Sequence, residues 1–333
     1  MKALVTGATG FIGSTLVEEL SQAGIQVRAL MRKTSSSANL EGLNFERTEG
    51  DLADFDALKK AVQGVDLVFH LAGVVIAKNR EGFFEHNASG TERLARAVAE
   101  ANPGLKRFVY VSSLAAGGPT LSADPRQETH EDQPVSSYGL SKRQGEIELL
   151  KYKNTYPISI VRPPLVYGPK DKATFLFVKT VAKNIVPMFA AGTESGQKYY
   201  SGIHVRDLVR GIIQAAQVPV EKAPSGEIFY LAADDIFTYE QMMMTIAKNL
   251  DRKPLRFKIP IITLKIAATG LTALGKLTNK TYPLNLDKLN EILPDYWICS
   301  NHKAKSILGF QPEYDLTRGL ENTVTWYRNH RWI

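Results

Sequence analysis

The chain has a single cysteine among 333 residues and no apolar run of the length a bilayer demands. Cys299 therefore has no partner for an internal disulfide, nothing calls for an oxidising compartment, and a cytoplasmic setting is expected. The six histidines show no spacing such as H-E-x-x-H, so no metal site is expected. The longest apolar stretch, from Ile259 to Gly275, carries Lys265 and falls short of the roughly 20 residues needed to span a membrane. It is read as a buried or interfacial helix, which excludes a membrane span but leaves surface association open. The opening MKALVTGATGFIG holds one Lys and an apolar run, yet its three glycines and the lack of a small-residue cleavage site argue against a signal peptide. Internal repeats and low-complexity tracts are also missing.

What is present is ordinary globular usage. Hydrophobic residues make up 44% and charged residues 23%, which argues for a chain that folds alone, and 333 residues suit one large domain or two unequal ones. The net charge of +7 is read as spread along the chain without a Lys/Arg block, so no nucleic-acid partner is expected. An anionic cofactor would account for part of that charge.

Short apolar runs alternate with helical patterns through the first half: ALVTG, IQVRALM, LVFHLAG, RFVYVSS and ISIVRPP. Such alternation predicts a parallel sheet covered by helices, because parallel strands are buried on both faces. After the first run, Ile12, Leu16, Val17 and Leu20 recur at helical spacing and Gly24 stands where a helix cap is expected. After Gly168 the rhythm breaks: 204–217 reads as helix, EIFYLAA from 227 as a further strand, and 238 onward as mainly helical. The expected division is a dinucleotide-binding part at 1–168, rejoined by 200–232, and a substrate-binding part at 169–199 and 233–333.

TGATGFIG sets Gly7, Gly10 and Gly13 between a predicted strand and a predicted helix. Glycines there permit a tight turn and let backbone N–H groups approach a pyrophosphate at the helix N-terminus. The second strand ends ALMRK followed by TSSS, not in an acid. Arg32 and Lys33, with Ser35 and Ser36 as hydroxyl donors, suit a 2′-phosphate, so NADP(H) is expected ahead of NAD(H). Asp51, in EGDL between the second and third of these runs, is a candidate acceptor for the adenine amino group, with a role as an acid at a helix N-terminus equally open.

In SSYGLSK, Tyr138 and Lys142 lie four apart, on one face of a helix predicted over 137–153. A free phenol with pKa about 10 needs nearby cations to act as a base, and Lys142 would supply one. Ser112 and Ser113 end RFVYVSS and point to opposite faces. Ser113, at the strand tip, is the candidate for holding a substrate oxygen.

Together TGATGFIG, Asp51-Leu52, HLAG at 70–73, Asn87 in HNASGT, Ser113, Tyr138-x-x-x-Lys142, RPPLVYGP at 162–169 and HVRDL at 204–208 resemble the extended short-chain dehydrogenase/reductase family, also called the NAD-dependent epimerase/dehydratase family. The resemblance covers essentially the whole chain. It implies an α/β fold with a Rossmann-type doubly wound parallel sheet and a smaller, mainly helical C-terminal substrate region. It implies catalytic roles for Ser113, Tyr138 as acid/base, and Lys142 as a nicotinamide-ribose ligand that lowers the tyrosine pKa. It adds Thr9, Phe11, Ile12, Leu52, Leu71, Ala72, Gly73, Pro163 and Leu165 to the cofactor-binding set of Gly7, Gly10, Gly13, Arg32, Lys33, Asp51, Tyr138 and Lys142. Asn87 would belong beside the active site, in a structural or a catalytic role. A homodimer through the helices near Asn87 and Tyr138 is also implied.

Family dehydratases carry Asp-Glu directly after the catalytic Ser/Thr, where this chain has Leu114-Ala115, which argues against 4,6-dehydration. Many sugar-nucleotide members carry Asn where this chain has Leu165. With the apolar 259–275 segment as a wall, the expected reaction is hydride transfer to or from a secondary alcohol or ketone of moderately apolar character, similar to the dihydroflavonol-reductase and 3β-hydroxysteroid-dehydrogenase branch. A sugar-nucleotide epimerase and a non-catalytic dinucleotide sensor are the alternatives. His204 and Asp207 are candidates for substrate contact, with a helix-start hydrogen bond as the other reading of Asp207. Trp297, Trp326 and Trp332 are expected to pack among C-terminal helices.

Overall fold

Leu4, Val68, Phe108 and Ile160 are buried, and so are their chain neighbours Val5, Phe69, Val109 and Val161. Strands with apolar side chains on both sides must be covered on both sides. The structure, a computed structural model, describes residues 1–189, 193, 196–278, 282 and 284–333. Its strands are β1 (Lys2–Thr6), β2 (Gln26–Met31), β3 (Glu46–Glu49), β4 (Leu67–His70), β5 (Arg107–Val111), β6 (Ile158–Arg162), β7 (Leu165–Tyr167), β8 (Ile185–Phe189), β9 (Tyr199–His204), β10 (Glu227–Tyr230), β11 (Ile236–Thr238), β12 (Leu255–Ile259) and β13 (Tyr296–Trp297). The helices are α1 (Phe11–Gln22), α2 (Phe55–Val62), α3 (Arg80–Phe84), α4 (Gly90–Ala101), α5 (Leu114–Gly117), α6 (Ser137–Leu150), α7 (Lys172–Ala182), α8 (Val205–Gln217), α9 (Tyr239–Asn249), α10 (Ile261–Thr278), α11 (Leu286–Ile292) and α12 (Leu316–Asn329).

Among the described residues, seven parallel strands form the main sheet in the order β10-β6-β5-β4-β1-β2-β3. Helices α1 and α8 pack Leu16, Leu20, Leu208 and Ile212 on the face that carries Ala3, Val5 and Phe69. On the other face α2, α4 and α6 set Leu58, Leu94, Val98 and Leu149 against Leu4, Val68 and Phe108. The order reverses direction between β1 and β4, so the crevice for a ligand lies beyond the C-terminal ends of those two strands. This is the doubly wound Rossmann-type sheet.

The second half holds more strand than its sequence suggests. β9 pairs with β11, β13 and β7, and β12 pairs with β8. β11 and β13 have three and two residues, too short to carry any periodicity, and the LRFKI of β12 is largely exposed and polar at alternate positions. Strands β7, β8, β9 and β11 with α7, α9 and α12 enclose a third core that includes Tyr167, Val181, Phe237, Met243 and Leu320. Trp326 and Trp332 pack there, whereas Trp297 lies in β13 and donates to the Glu291 carbonyl at 2.8 Å. Among the described residues no helix is long and apolar enough to cross a membrane.

Candidate active site

Three glycines shape the turn between β1 and α1. Gly7 has φ +72°, and a Cβ there would meet the backbone of Leu71 and Ala72 at 2.8–2.9 Å. A Cβ on Gly13 would fall 2.1 Å from the Gly7 carbonyl oxygen. The Gly10 N–H donates to that same oxygen at 3.0 Å, and Gly10 begins α1 in extended conformation with no side-chain cap. The first-turn N–H groups of α1 are thus left for an outside acceptor.

Above this turn lies a cleft of about 330 Å³. Of the expected cofactor residues it is lined by Gly7, Thr9, Gly10, Arg32, Asp51, Leu52, Leu71, Ala72 and Gly73. Ser35 lines it as well, while the Ser36 hydroxyl accepts from the Ala38 N–H. Phe11 and Ile12 turn back against the core, and Gly13 lies under the turn. Lys33 is exposed and its carbonyl accepts from Arg47. Pro163 is buried with its carbonyl accepting from the Leu114 N–H at 2.8 Å, and Leu165 in β7 packs against the third core. Asp51 takes the Ala53 N–H at 2.7 Å, but the cap of α2 is Asp54, so the helix-start reading belongs to Asp54. His86 and Val74 also line the cleft, without a sequence signal of their own.

The helix carrying Tyr138 begins with a built cap: Ser136 accepts from the Gly139 N–H at 3.0 Å. One turn in, Lys142 is 4% exposed. Its ammonium donates to the Val111 carbonyl at the end of β5 at 2.8 Å and sits 4.3 Å over the Tyr110 ring. It also lies 3.8 Å from the position a Cβ would take on Gly73, at the wall of the cleft above the glycine turn. Burial drives its pKa down to about 7, with Glu146 opposing. The Tyr138 phenol is pushed up to about 12 by burial; a hydrogen bond with Ser113 pulls it down and the Glu291 charge pushes it up. Ser113 caps α5, accepting from the Ala115 N–H at 3.1 Å. Ser112 points the other way and donates to Glu146 at 2.5 Å.

Several supports were not visible in the sequence reading. Glu146 is fully buried, one helical turn beyond Lys142, and takes two hydrogen bonds from Arg162, which also forks onto Asp132. The i, i+4 spacing of Lys142 and Glu146 was the available signal. Asn87 is buried in a π-helical turn and ties elements together: its amide donates to the Val74 carbonyl and the Ser141 hydroxyl and accepts from the Val74 N–H, at 2.8–3.0 Å. His70 is held between Thr6 and Thr91, and burial brings its pKa down to about 3, so it is neutral. From α11, Asp287 accepts from the Ser137 N–H and hydroxyl, and Glu291 accepts from Ser136.

A second cleft, about 420 Å³, opens beside Tyr138. Phe83, Ser137, Leu271, Gly275 and Leu286 give it apolar and small walls, and Lys78, Arg80 and Asp287 give it charge. The Phe83 ring lies 6.3 Å from that of Tyr138. Only the C-terminal part of the apolar segment faces inward here; Ile262 and Ile266 are exposed, which corrects the expectation of a wall from 259 to 275. His204 and Asp207 serve the C-terminal chain: His204 stacks on Tyr314 at 4.0 Å, and Asp207 takes the N–H groups of Glu313 and Tyr314 at 2.9–3.0 Å. Among the described residues no cluster fit for a metal ion occurs.

The family described as NAD dependent epimerase/dehydratase matches residues 3–232. A ceramide reductase of Caulobacter vibrioides is 30% identical over 330 residues, covering 99% of this chain and 95% of that protein. A UDP-glucose 4-epimerase of Vibrio cholerae is 28% identical over 96% of this chain and 94% of its own length. Among solved structures, a dTDP-glucose 4,6-dehydratase from Streptomyces venezuelae with NAD bound superposes with a TM-score of 0.80 at 23% identity, covering 100% of this chain and 98% of that one.

Proposed function

Since the chain belongs to the NAD-dependent epimerase/dehydratase family, and is by that membership an enzyme of nicotinamide chemistry, we propose that it passes hydride between a nicotinamide and a secondary alcohol or ketone of moderately apolar character. NADP(H) is the preferred cofactor in this reading, on the strength of Arg32 and Ser35 at the cleft and no acid at the end of β2. The residues fit a dinucleotide: Gly7 and Gly13 let the backbone of the turn close tightly where a Cβ would clash, and the start of α1 above it offers free N–H donors. Residues 1–168 with 200–232 hold the dinucleotide, while 169–199 and 233–333 contribute to the substrate side, in a homodimeric assembly.

When bound, the nicotinamide supplies or accepts the hydride. Tyr138 supplies the proton. A phenol whose pKa stands near 12 keeps its proton at neutral pH, which suits donation to a carbonyl oxygen as negative charge develops there. Ser113, already hydrogen-bonded to Tyr138, holds that oxygen in place. Lys142 borders the dinucleotide cleft through Gly73 and offers its ammonium to ribose hydroxyls. The observation that carries the reading is the meeting of Ser113 and Tyr138 beside the second cleft, which Ser137 and Phe83 line, with Lys142 on the same helix as Tyr138.

Leu114 and Ala115 follow Ser113 as buried apolar residues, so no carboxylate stands there for proton transfer at an adjacent carbon. The mixed lining of the second cleft and the ceramide reductase relative both favour a partly apolar substrate. The epimerase relative favours a second reading, in which oxidation and re-reduction occur without cofactor release. Denaturing the purified protein and identifying the released nucleotide separates the two. A protein that releases none and binds added NADPH supports the exchanging oxidoreductase; near-stoichiometric NAD(H) overturns it in favour of the epimerase.

A further inference from the structure

Helix α10 is apolar on two sides. At about 100° per residue, Ile262, Ile266, Ala273 and Leu277 fall in one stripe about 60° wide. All four are exposed, Ile262 at 62%, Ile266 at 67% and Leu277 at 85%. The opposite side buries Ala268 and turns Leu271 and Gly275 into the cleft beside Ser137. Directly before the helix, Leu255 and Phe257 share one face of β12 and are exposed at 71% and 43%. Isolated exposed apolar residues need no explanation, but a run of them along one element marks a surface that meets something other than water.

The charge identifies what that is. From Arg252 to Leu286 the sequence holds seven Lys and Arg and no Asp or Glu. The other 34 basic residues balance the 34 acidic ones, so this one segment carries the entire +7. The excess is therefore not spread along the chain, as the absence of a Lys/Arg block suggested; it arises where acids are missing. Arg252, Lys253, Lys258 and Lys265 are exposed, and Arg256 pairs with Glu240. Lys265 stands about 60° from Ile262, at the edge of the stripe. Apolar side chains bordered by unopposed cations match the interface of an anionic bilayer, where the first enter the acyl boundary and the second meet phosphates.

We propose that β12 and α10 form a docking surface for an anionic membrane, with α10 lying in the plane of the interface. The docking stands on exposure and charge and is independent of the reaction. Its consequence rests on the proposed function: the inner side of the same helix lines the cleft beside Tyr138, so a lipid-borne ketone would enter about one helix diameter, roughly 10 Å, from the bilayer.

Flotation of the full chain with phosphatidylcholine vesicles, with and without about 30% phosphatidylglycerol, tests this. The expected result is flotation with the anionic vesicles, weakened by salt. Ile262→Ser with Ile266→Ser, and separately Lys253→Glu with Lys258→Glu, should each lower the partition about tenfold or more while melting temperature and NADPH binding stay as in the parent. Should either pair fail to fold, Ile262→Cys carrying an environment-sensitive dye reports the same contact by a blue shift on anionic vesicles, since Cys299 is buried. No flotation, equal flotation on neutral vesicles, or variants that float like the parent would overturn the proposal. A parent dimer that the Ile262/Ile266 pair converts to monomer, without vesicle binding, would assign the face to a second copy instead.

Discussion

Replacing Gly13 by alanine places a methyl group 2.1 Å from the Gly7 carbonyl oxygen, 2.8 Å from its carbon and 3.0 Å from the Ala8 Cα. These neighbours are backbone, so no rotamer relieves the contact. A carbon–oxygen pair needs somewhat over 3 Å, so the turn must open by about 1 Å, and overpacking of this kind costs about 1–3 kcal/mol. The Gly7 carbonyl also receives the Gly10 N–H, so the opening displaces the floor of the cleft proposed to hold the dinucleotide. Titration of NADPH by calorimetry should show affinity at least about tenfold weaker, beside a melting temperature lowered by several degrees. Gly24→Ala is the control: at φ +71° with nothing within 4 Å of the added Cβ, it should cost about 1 kcal/mol and leave affinity alone. Gly13→Ala binding NADPH within twofold of the parent would refute the account of the turn.

Arg32→Glu should invert the ratio of NADPH to NADH affinity, each measured by fluorescence titration; an unchanged ratio removes Arg32 from cofactor selection. Because Lys142 has its pKa lowered from 10.5 to about 7, the unfolded chain binds a proton that the folded one lacks between those values. Stability from this group therefore rises with pH across that window, by up to about 1.4 kcal/mol per unit, and urea melts of Lys142→Met should lack that slope. Glu146→Gln leaves Arg162 buried with part of its charge unpaired and should cost about 3–5 kcal/mol by urea melts, against under about 1 kcal/mol for the surface change Asp56→Asn in the exposed pair with Lys59. Equal costs would show that the buried pair contributes no more than a surface one.

The main sheet was legible because six of its seven strands are built on short apolar runs, the polar edge strand β3 (Glu46–Glu49) being the exception, and because α1 has both its helical period and Gly24 as its terminator. The small strands were not, since pairings such as Trp297 with Tyr200 are made by distant chain segments and leave no local pattern. At the site, Tyr138, Lys142 and Ser113 could be named from a helical spacing and a strand end. Their supports could not, because Arg162, Glu146 and Asp132 read as ordinary charges until folding buries two of them together. Lys142 shows the same limit. Its hydrogen bond goes to Val111 and its charge to the Tyr110 ring, and burial dominates the tyrosine pKa that the cation was expected to lower. The outward stripe of α10 was hidden for a related reason, as hydrophobicity alone does not say which side of a helix the core will take.

Hydride transfer with Tyr138 as proton donor leaves an isotopic trace in the product. Incubating the protein with NADPH carrying deuterium at both C4 positions and a panel of partly apolar ketones, then weighing the alcohols by mass spectrometry, follows the transfer itself. One deuterium on the carbinol carbon is expected, with a yield falling by about a hundredfold or more in Tyr138→Phe. Unlabelled products, or labelled alcohol formed equally well by Tyr138→Phe, would contradict it.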